Sequence, residues 1–167
     1  METLWKSGTT DGFIDLIGAS EESQEKKRLG YNSKLQLNRD PMKFIHTKEG
    51  TEPAGHYSQA VVYGGVVYVS GMLGKDPKNP DAHPGDVAQQ ARQALTNVEV
   101  VLEEAGSSLK SVVRMMIYVS GIEHWSAVNE VYAEVMGSHK PARAIVPVKS
   151  FMDPYVLEIV ATAALGS

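Results

Sequence analysis

Two charged side chains stand inside runs that otherwise read as buried strands. Arg143 heads the apolar part of KPARAIVPV, residues 140–148, and Glu158 lies within VLEIVATA, residues 156–163. An unpaired charge in an apolar β layer costs several kcal/mol, so each group needs a counter-charge or a charged ligand. Two chemistries meet that need. In the first the two charges neutralise each other as a partly buried cross-strand ion pair, the plainer reading on composition alone. In the second an anionic group from outside these two strands meets Arg143. If the last two strands form an antiparallel hairpin turning near 149–154, position 143 falls opposite or diagonal to 158 or 160. An even-numbered direct partner for Arg143 then puts both charges on one face.

Other chemistries have little to draw on. The 167 residues contain no cysteine, which removes thiol nucleophiles, disulfides and thiolate metal sites together. None of the five histidines, at 46, 56, 83, 124 and 139, shows the close helical spacing of metal ligands or an evident acid–base pairing. No G-x-S-x-G or phosphate-loop glycine pattern occurs. A formal charge of −4, with no basic run longer than Lys26-Lys27-Arg28, gives no general attraction for nucleic acid or anionic lipid. Nowhere do about 18 apolar residues follow one another, and the first residues lack the basic and apolar blocks of a signal peptide. A soluble, cytoplasmic protein that needs no membrane is the expectation.

The elements that must position Arg143 and Glu158 are legible from about residue 42. MKFIHT alternates as a short strand, and AVVYGGVVYVSG places a Gly64-Gly65 pair between two β-branched and aromatic runs, a tight hairpin. In GDVAQQARQALTNVEVVLEEAG, residues Val87, Ala91, Leu95, Val98, Leu102 and Ala105 recur at three- and four-residue steps. That is the apolar face of a helix, with Asp86 and Gln89 as a capping pair and Gly106 beyond its end. SVVRMMIYVS, 111–120, is a strand. A second helix runs from about Glu123 to Met136 with Trp125, Val128, Tyr132 and Val135 or Met136 inward, and Gly137 stops it. RAIVPVKS and PYVLEIVATA are the last two strands, joined by a turn at Met152-Asp153-Pro154. The order is β-β-β-α-β-α-β-β, an α+β class.

Two helices can cover only one face of about six strands. In the last strand Leu157, Ile159 and Ala161 point one way, while Val156, Val160 and Thr162, with Glu158 among them, point the other. A sheet apolar on both faces predicts subunit association, with pockets between subunits. Residues 1–41 hold one apolar cluster, Phe13, Ile14, Leu16 and Ile17, before a charged stretch. They are expected to be an extension draped over the 42–167 domain, or with Trp5 to anchor on a partner or roof a pocket.

The blocks AGHYSQAVVYGGVVYVSG, GDVAQQARQALTNVEVVLEEAGSSLKSVVRMMIYVS, VNEVYAEVMG, KPARAIVPV and VLEIVATAA closely resemble, in order and spacing from about Met42 to Ala164, the RidA (YjgF) family of enamine and imine deaminases. The resemblance implies a chorismate-mutase-like α+β domain forming homotrimers, with active sites in clefts between subunits. It implies that Arg143 of Pro141-Ala142-Arg143 binds the substrate carboxylate and that Glu158 orients or polarises the attacking water. Tyr57, Ser70 with Gly71, and Asn129 would line the same cleft, and Ile145 would offer backbone polar groups to the ligand. Taken singly, each has a plainer explanation: a packed ring for Tyr57, a strand-end residue for Ser70, a solvent-facing helix residue for Asn129.

A protonated imine carbon is already electrophilic, so hydrolysis to a 2-oxoacid and ammonia needs a held substrate, a placed water and donors for the changing charge. The resemblance implies no organic cofactor and no metal. Two positions depart from the family pattern: Met72 stands where many members have glutamine, and Ile145 where many have cysteine. With the extension, these leave the substrate open between small 2-iminoacids and a larger unsaturated amino acid such as 2-aminomuconate. A non-catalytic ligand-binding trimer is the rival class, and a ribonuclease is disfavoured by the charge balance.

Overall fold

A computed structural model of the chain describes residues 41–166. The expected extension and its Trp5 and Phe13–Ile17 anchors lie outside the described residues. The described part holds six strands, β1 (Lys43–Ile45), β2 (Ala60–Tyr63), β3 (Val66–Leu73), β4 (Val112–Val119), β5 (Ala142–Pro147) and β6 (Leu157–Ala164). Two helices, α1 (Val87–Glu104) and α2 (Trp125–Met136), interleave with them. They build one mixed sheet in the order β1-β2-β3-β6-β4-β5. The α+β class and the element order match the expectation.

Local chemistry accounts for most boundaries. Gly64 and Gly65 turn the β2–β3 hairpin with φ of 58° and 76°, values that need no Cβ. Asp86 caps α1: its carboxylate accepts from the Gln89 N–H while the Gln89 side chain accepts from the Asp86 N–H. A reciprocal cap of this kind is worth about 1 kcal/mol. Gly106, at φ 81°, ends the helix, and Gly137, at φ 57°, ends α2. A short 3₁₀ turn, Ile122–His124, precedes α2 and delays its start by two residues from the expected Glu123. Trp125, expected to face inward, is 43% exposed. It is the first residue of the helix, before the turn that meets the core, and Val128, Val131, Tyr132 and Met136 make the buried stripe instead.

The expected β5–β6 hairpin does not form. β5 pairs in parallel with β4, Arg143 beside Met115 and Ile145 beside Ile117. β6 pairs antiparallel with both β3 and β4 and occupies the middle of the sheet. The reason lies in α2, long enough to carry the chain back for a parallel crossover, which a hairpin turn cannot make. β6, apolar on both faces, satisfies two ladders from the centre, whereas half-exposed β5, ending in Pro147, suits an edge.

Register fixes the faces. Val67, Val69, Met115, Ile117, Val119, Leu157, Ile159, Ala161 and Ala163 are buried beneath α1 and α2 with Leu95, Val98, Val101 and Leu102. Tyr68, Arg114, Met116, Tyr118, Glu158, Val160 and Thr162 alternate with them on the other side, which no described helix covers. No helix among the described residues is long and apolar enough to cross a membrane.

Candidate functional site

Arg143 is paired with buried Met115, so it belongs to the helix-covered face at the sheet's β5 edge. Its guanidinium does not meet Glu158. One amino group donates to Asn129 Oδ1 at 2.9 Å, and Cζ lies 4.4 Å from the centroid of the Tyr132 ring. Asn129 and Tyr132, three residues apart on α2, present one face to β5, which is why both reach the same guanidinium. A cation stacked on an aromatic ring gains about 0.5–2 kcal/mol and keeps its full charge. Arg143 is therefore fixed in plane, half-buried and without a carboxylate among the described residues.

Burial raises the Tyr132 phenol above its ordinary range, slightly opposed by the nearby guanidinium. The phenol stays protonated, and its buried oxygen has no hydrogen-bond partner. Beside these groups opens a cavity of about 370 Å³, bounded by Arg143, Asn129, Tyr132, Met136 and the 137–141 connection.

The second group of residues gathers on the uncovered face. Glu158 sits opposite Tyr118 on β4 and Leu73 on β3, half-buried. Desolvation raises its carboxyl above the usual carboxylate range. Next to it β3 bulges between Val69 and Met72, putting Ser70 and Gly71 out of the regular ladder. A Cβ at position 71 would overlap the Glu158 carboxylate, so only glycine lets the carboxylate lie along the bulge. The Ser70 hydroxyl donates to the Ser58 carbonyl at 2.7 Å, and Ser70 N–H donates to the Gln59 carbonyl at 3.0 Å. Those bonds bring the 57–59 segment against the bulge, with Tyr57 exposed and its hydroxyl accepting from Ala54 N–H at 3.1 Å.

Three buried amides hold this arrangement. Gln59 accepts from Thr47 N–H at 2.6 Å and donates to the Thr47 and Thr51 carbonyls, tying down the loop that carries Tyr57. From α1, Asn97 donates to the Leu73 and Lys75 carbonyls at the end of β3. Gln90 donates to the Gly85 and Pro154 carbonyls and accepts from Val156 N–H, fixing the chain just before Glu158. A buried amide left without such partners would cost about 1–3 kcal/mol, so each staple specifies one loop position.

The sequence-selected residues thus divide into two sets. Arg143, Asn129 and Ile145, whose side chain packs on the core, belong to the helix side. Glu158, Ser70, Gly71 and Tyr57 belong to the uncovered side or its rim. The expected cross-strand ion pair is corrected: the strands are not neighbours, and the two charges face opposite ways. Sequence reasoning treated Tyr132 only as an inward residue and missed its hold on Arg143: the three-residue step from Asn129 puts the two on one face of α2, but which strand meets that face is decided by the fold. No group of three His, Cys, Asp or Glu side chains that could hold a metal occurs among the described residues.

Residues 47–165 match the family described as Endoribonuclease L-PSP. The 2-iminobutanoate/2-iminopropanoate deaminase of Bos taurus is 39% identical over 124 residues, 74% of this chain and 90% of that protein. Among solved structures, RidA from the Antarctic bacterium Psychrobacter sp. is 34% identical with a TM-score of 0.69, covering 73% of this chain and 98% of that one. E. coli TdcF with bound serine is 30% identical with a TM-score of 0.70, covering 74% and 99%. With the bulge, the edge arginine and the central-strand glutamate all inside the matched span, the chain belongs to the Endoribonuclease L-PSP family, which includes the RidA proteins.

Proposed function

We propose that the protein is a hydrolytic deaminase of reactive enamine or imine intermediates that carry a carboxylate, converting a 2-iminoacid to a 2-oxoacid and ammonia. The observation that carries this reading is the pair of complementary half-sites: a guanidinium fixed in plane without a counter-ion, and a half-buried carboxylate with a raised pKa. The name of the Bos taurus relative supports the reaction class, and the serine bound to the E. coli relative supports a small amino-acid-like ligand.

In this reading Arg143 pairs with the substrate carboxylate and presents C2 of the protonated imine to water. Glu158, ionised, takes a proton from that water as its oxygen bonds to C2, and the imine π electrons settle on nitrogen. Glu158 then passes that proton to the carbinolamine nitrogen, the C–N bond breaks as the C=O forms, and the hydroxyl proton returns to Glu158 and leaves with ammonia as ammonium. An enamine joins the route once protonation on carbon makes it an imine. The Gly71 bulge lies against the Glu158 carboxylate, where charge changes.

Because the half-sites face opposite ways within one chain, a ligand touching both must lie between two chains. We place the reaction in clefts of a cytoplasmic homotrimer, each with Arg143 and Asn129 from one subunit and Glu158, Ser70, Gly71 and Tyr57 from the next. The uncovered sheet face, with Tyr68 and Val113 about half exposed, supplies apolar surface for that association.

A nuclease would need paired acid–base groups. Here His139 contacts the Val112 carbonyl and His83 accepts from Gly85 N–H, and His46, which faces Glu52 at 3.6 Å, is exposed with its partner at the surface. The test is ammonia release from a panel of imino acids generated in situ by an amino-acid oxidase. Wild-type protein should accelerate release and Arg143→Ala should lose most of that acceleration. Equal rates for the two proteins would refute the assignment.

A further inference from the structure

The cavity beside Arg143 contains a second cation. Lys140 lines it, as does His139, and none of the residues that line it is acidic. Lys140 and Arg143 are three residues apart, so their Cα atoms are separated by no more than about 11 Å. Between them the walls are apolar: Met136, Ala133, Pro141 and the Tyr132 ring. The cavity is thus charged at two places and hydrocarbon-lined between, and its volume of about 370 Å³ lies within the ~300–1,000 Å³ range of small-molecule sites.

One feature opposes an anion there. The carboxyl end of α2 borders the cavity, and free helix carbonyls repel negative charge. Two of them are already occupied, the Ala133 carbonyl by Gly137 N–H and the Met136 carbonyl by His139 N–H. His139 is itself held, with Nε2 2.7 Å from the Val112 carbonyl, a contact that requires a proton on Nε2. Lys140 has no acidic partner among the described residues and stands exposed at the rim.

We infer that this cavity selects dicarboxylic ligands: one carboxylate on Arg143, a short hydrocarbon chain along Met136 and Tyr132, and the second carboxylate on Lys140. The inference rests on the assignment of Arg143 as the carboxylate anchor and names the substrate class of that site, the 2-imino derivative of a short diacid. Lys140 is a specificity-determining residue and takes no part in the proton transfers. Its charge is an exposed one, so its contribution is a few-fold and fades with salt.

Isothermal titration of the full chain with two stable probes, glutarate and butyrate, separates the claims. Wild-type protein should bind glutarate about fivefold more tightly than butyrate at low ionic strength, with the ratio shrinking as salt is added. Lys140→Ala should bring the ratio toward one, and Lys140→Arg should keep most of it. A wild-type ratio near one, or an unchanged ratio in Lys140→Ala, overturns the dicarboxylate inference while leaving the Arg143 anchor standing. Arg143→Ala should weaken both probes. If it binds them as well as wild type, or if wild type binds neither, the anchor fails and the inference falls with it.

Discussion

Arg143 and Glu158 stand on opposite faces of one sheet, two strands apart across it and three residue rows apart along it. The rows follow from Arg143 beside Met115, which faces Ala161, and Glu158 beside Tyr118. With strands about 4.8 Å apart and rows about 3.3 Å apart, each displacement is close to 10 Å, and the sheet itself lies between the side chains. No small ligand spans that path inside one subunit.

Mixing two inactive variants should therefore restore activity. In an unfolded and co-refolded mixture of Arg143→Ala and Glu158→Gln chains, a shared cleft carries both native residues in about a quarter of its random combinations. About a quarter of wild-type ammonia release is expected from the mixture, and almost none from either variant alone. A mixture as inactive as its parents would place both residues in one chain's site.

Glu158 should cost stability at neutral pH. Its folded-state pKa is raised by burial, so between the ordinary carboxylate range and that raised value the folded chain holds a proton the unfolded chain has lost. Stability falls as pH rises through this window and stays low above it. Glu158→Gln should accordingly raise the melting temperature at pH 7, and the gain should vanish below the unfolded carboxylate pKa. Turnover of the same variant should drop about 100-fold or more, with ligand affinity changed less. Melting curves and kinetics from pH 4 to 8 read both, and a variant destabilised at pH 7 would contradict the direction.

Gly71→Ala puts a methyl group where the Glu158 carboxylate lies. Since the backbone at 71 needs no left-handed conformation, the main effect is displacement of the carboxylate rather than strain in the chain. Turnover should fall at least tenfold with a loss of about 1 kcal/mol or less in denaturant midpoint analysis. Full activity would mean that Glu158 does not work from this position.

Tyr132 should act through Arg143. Tyr132→Leu removes the ring beneath the guanidinium and should raise KM several-fold with a smaller effect on kcat, in line with a loss of about 1 kcal/mol of cation–π attraction. Tyr132→Phe keeps the ring and removes a buried hydroxyl that has no partner, so KM should hold and stability should stay level or rise by about 1 kcal/mol. Parallel KM losses in both variants would show that the ring is not the operative part.

What could be read from the sequence was what short-range chemistry decides. The Gly64-Gly65 turn, the Asp86–Gln89 cap and the Leu95–Val98–Leu102 stripe each declare their element within a few residues. The neighbour of β5 is decided elsewhere, by where α2 delivers the chain, and KPARAIVPV alone does not contain that information. The same holds for the site. Arg143 and Glu158 were conspicuous as charges among apolar residues, yet their facing depended on a pairing that skips a strand. The Tyr132 contact with Arg143 likewise needed the fold, because it links positions 11 residues apart in sequence across an α2–β5 return.

The place of β6 bears on how the chain comes to be folded during synthesis. Leu157–Ala164 is made after every other strand, yet it lies between β3 and β4 and supplies ladders to both. Until it leaves the ribosome, the β1-β2-β3 meander and the β4-α2-β5 unit share no strand pairing, and each exposes an apolar edge to other nascent chains. The rate of reaching the native sheet is then governed by closing long loops around its last strand, and shielding of those two edges by a chaperone is most valuable in the seconds before residue 164 emerges.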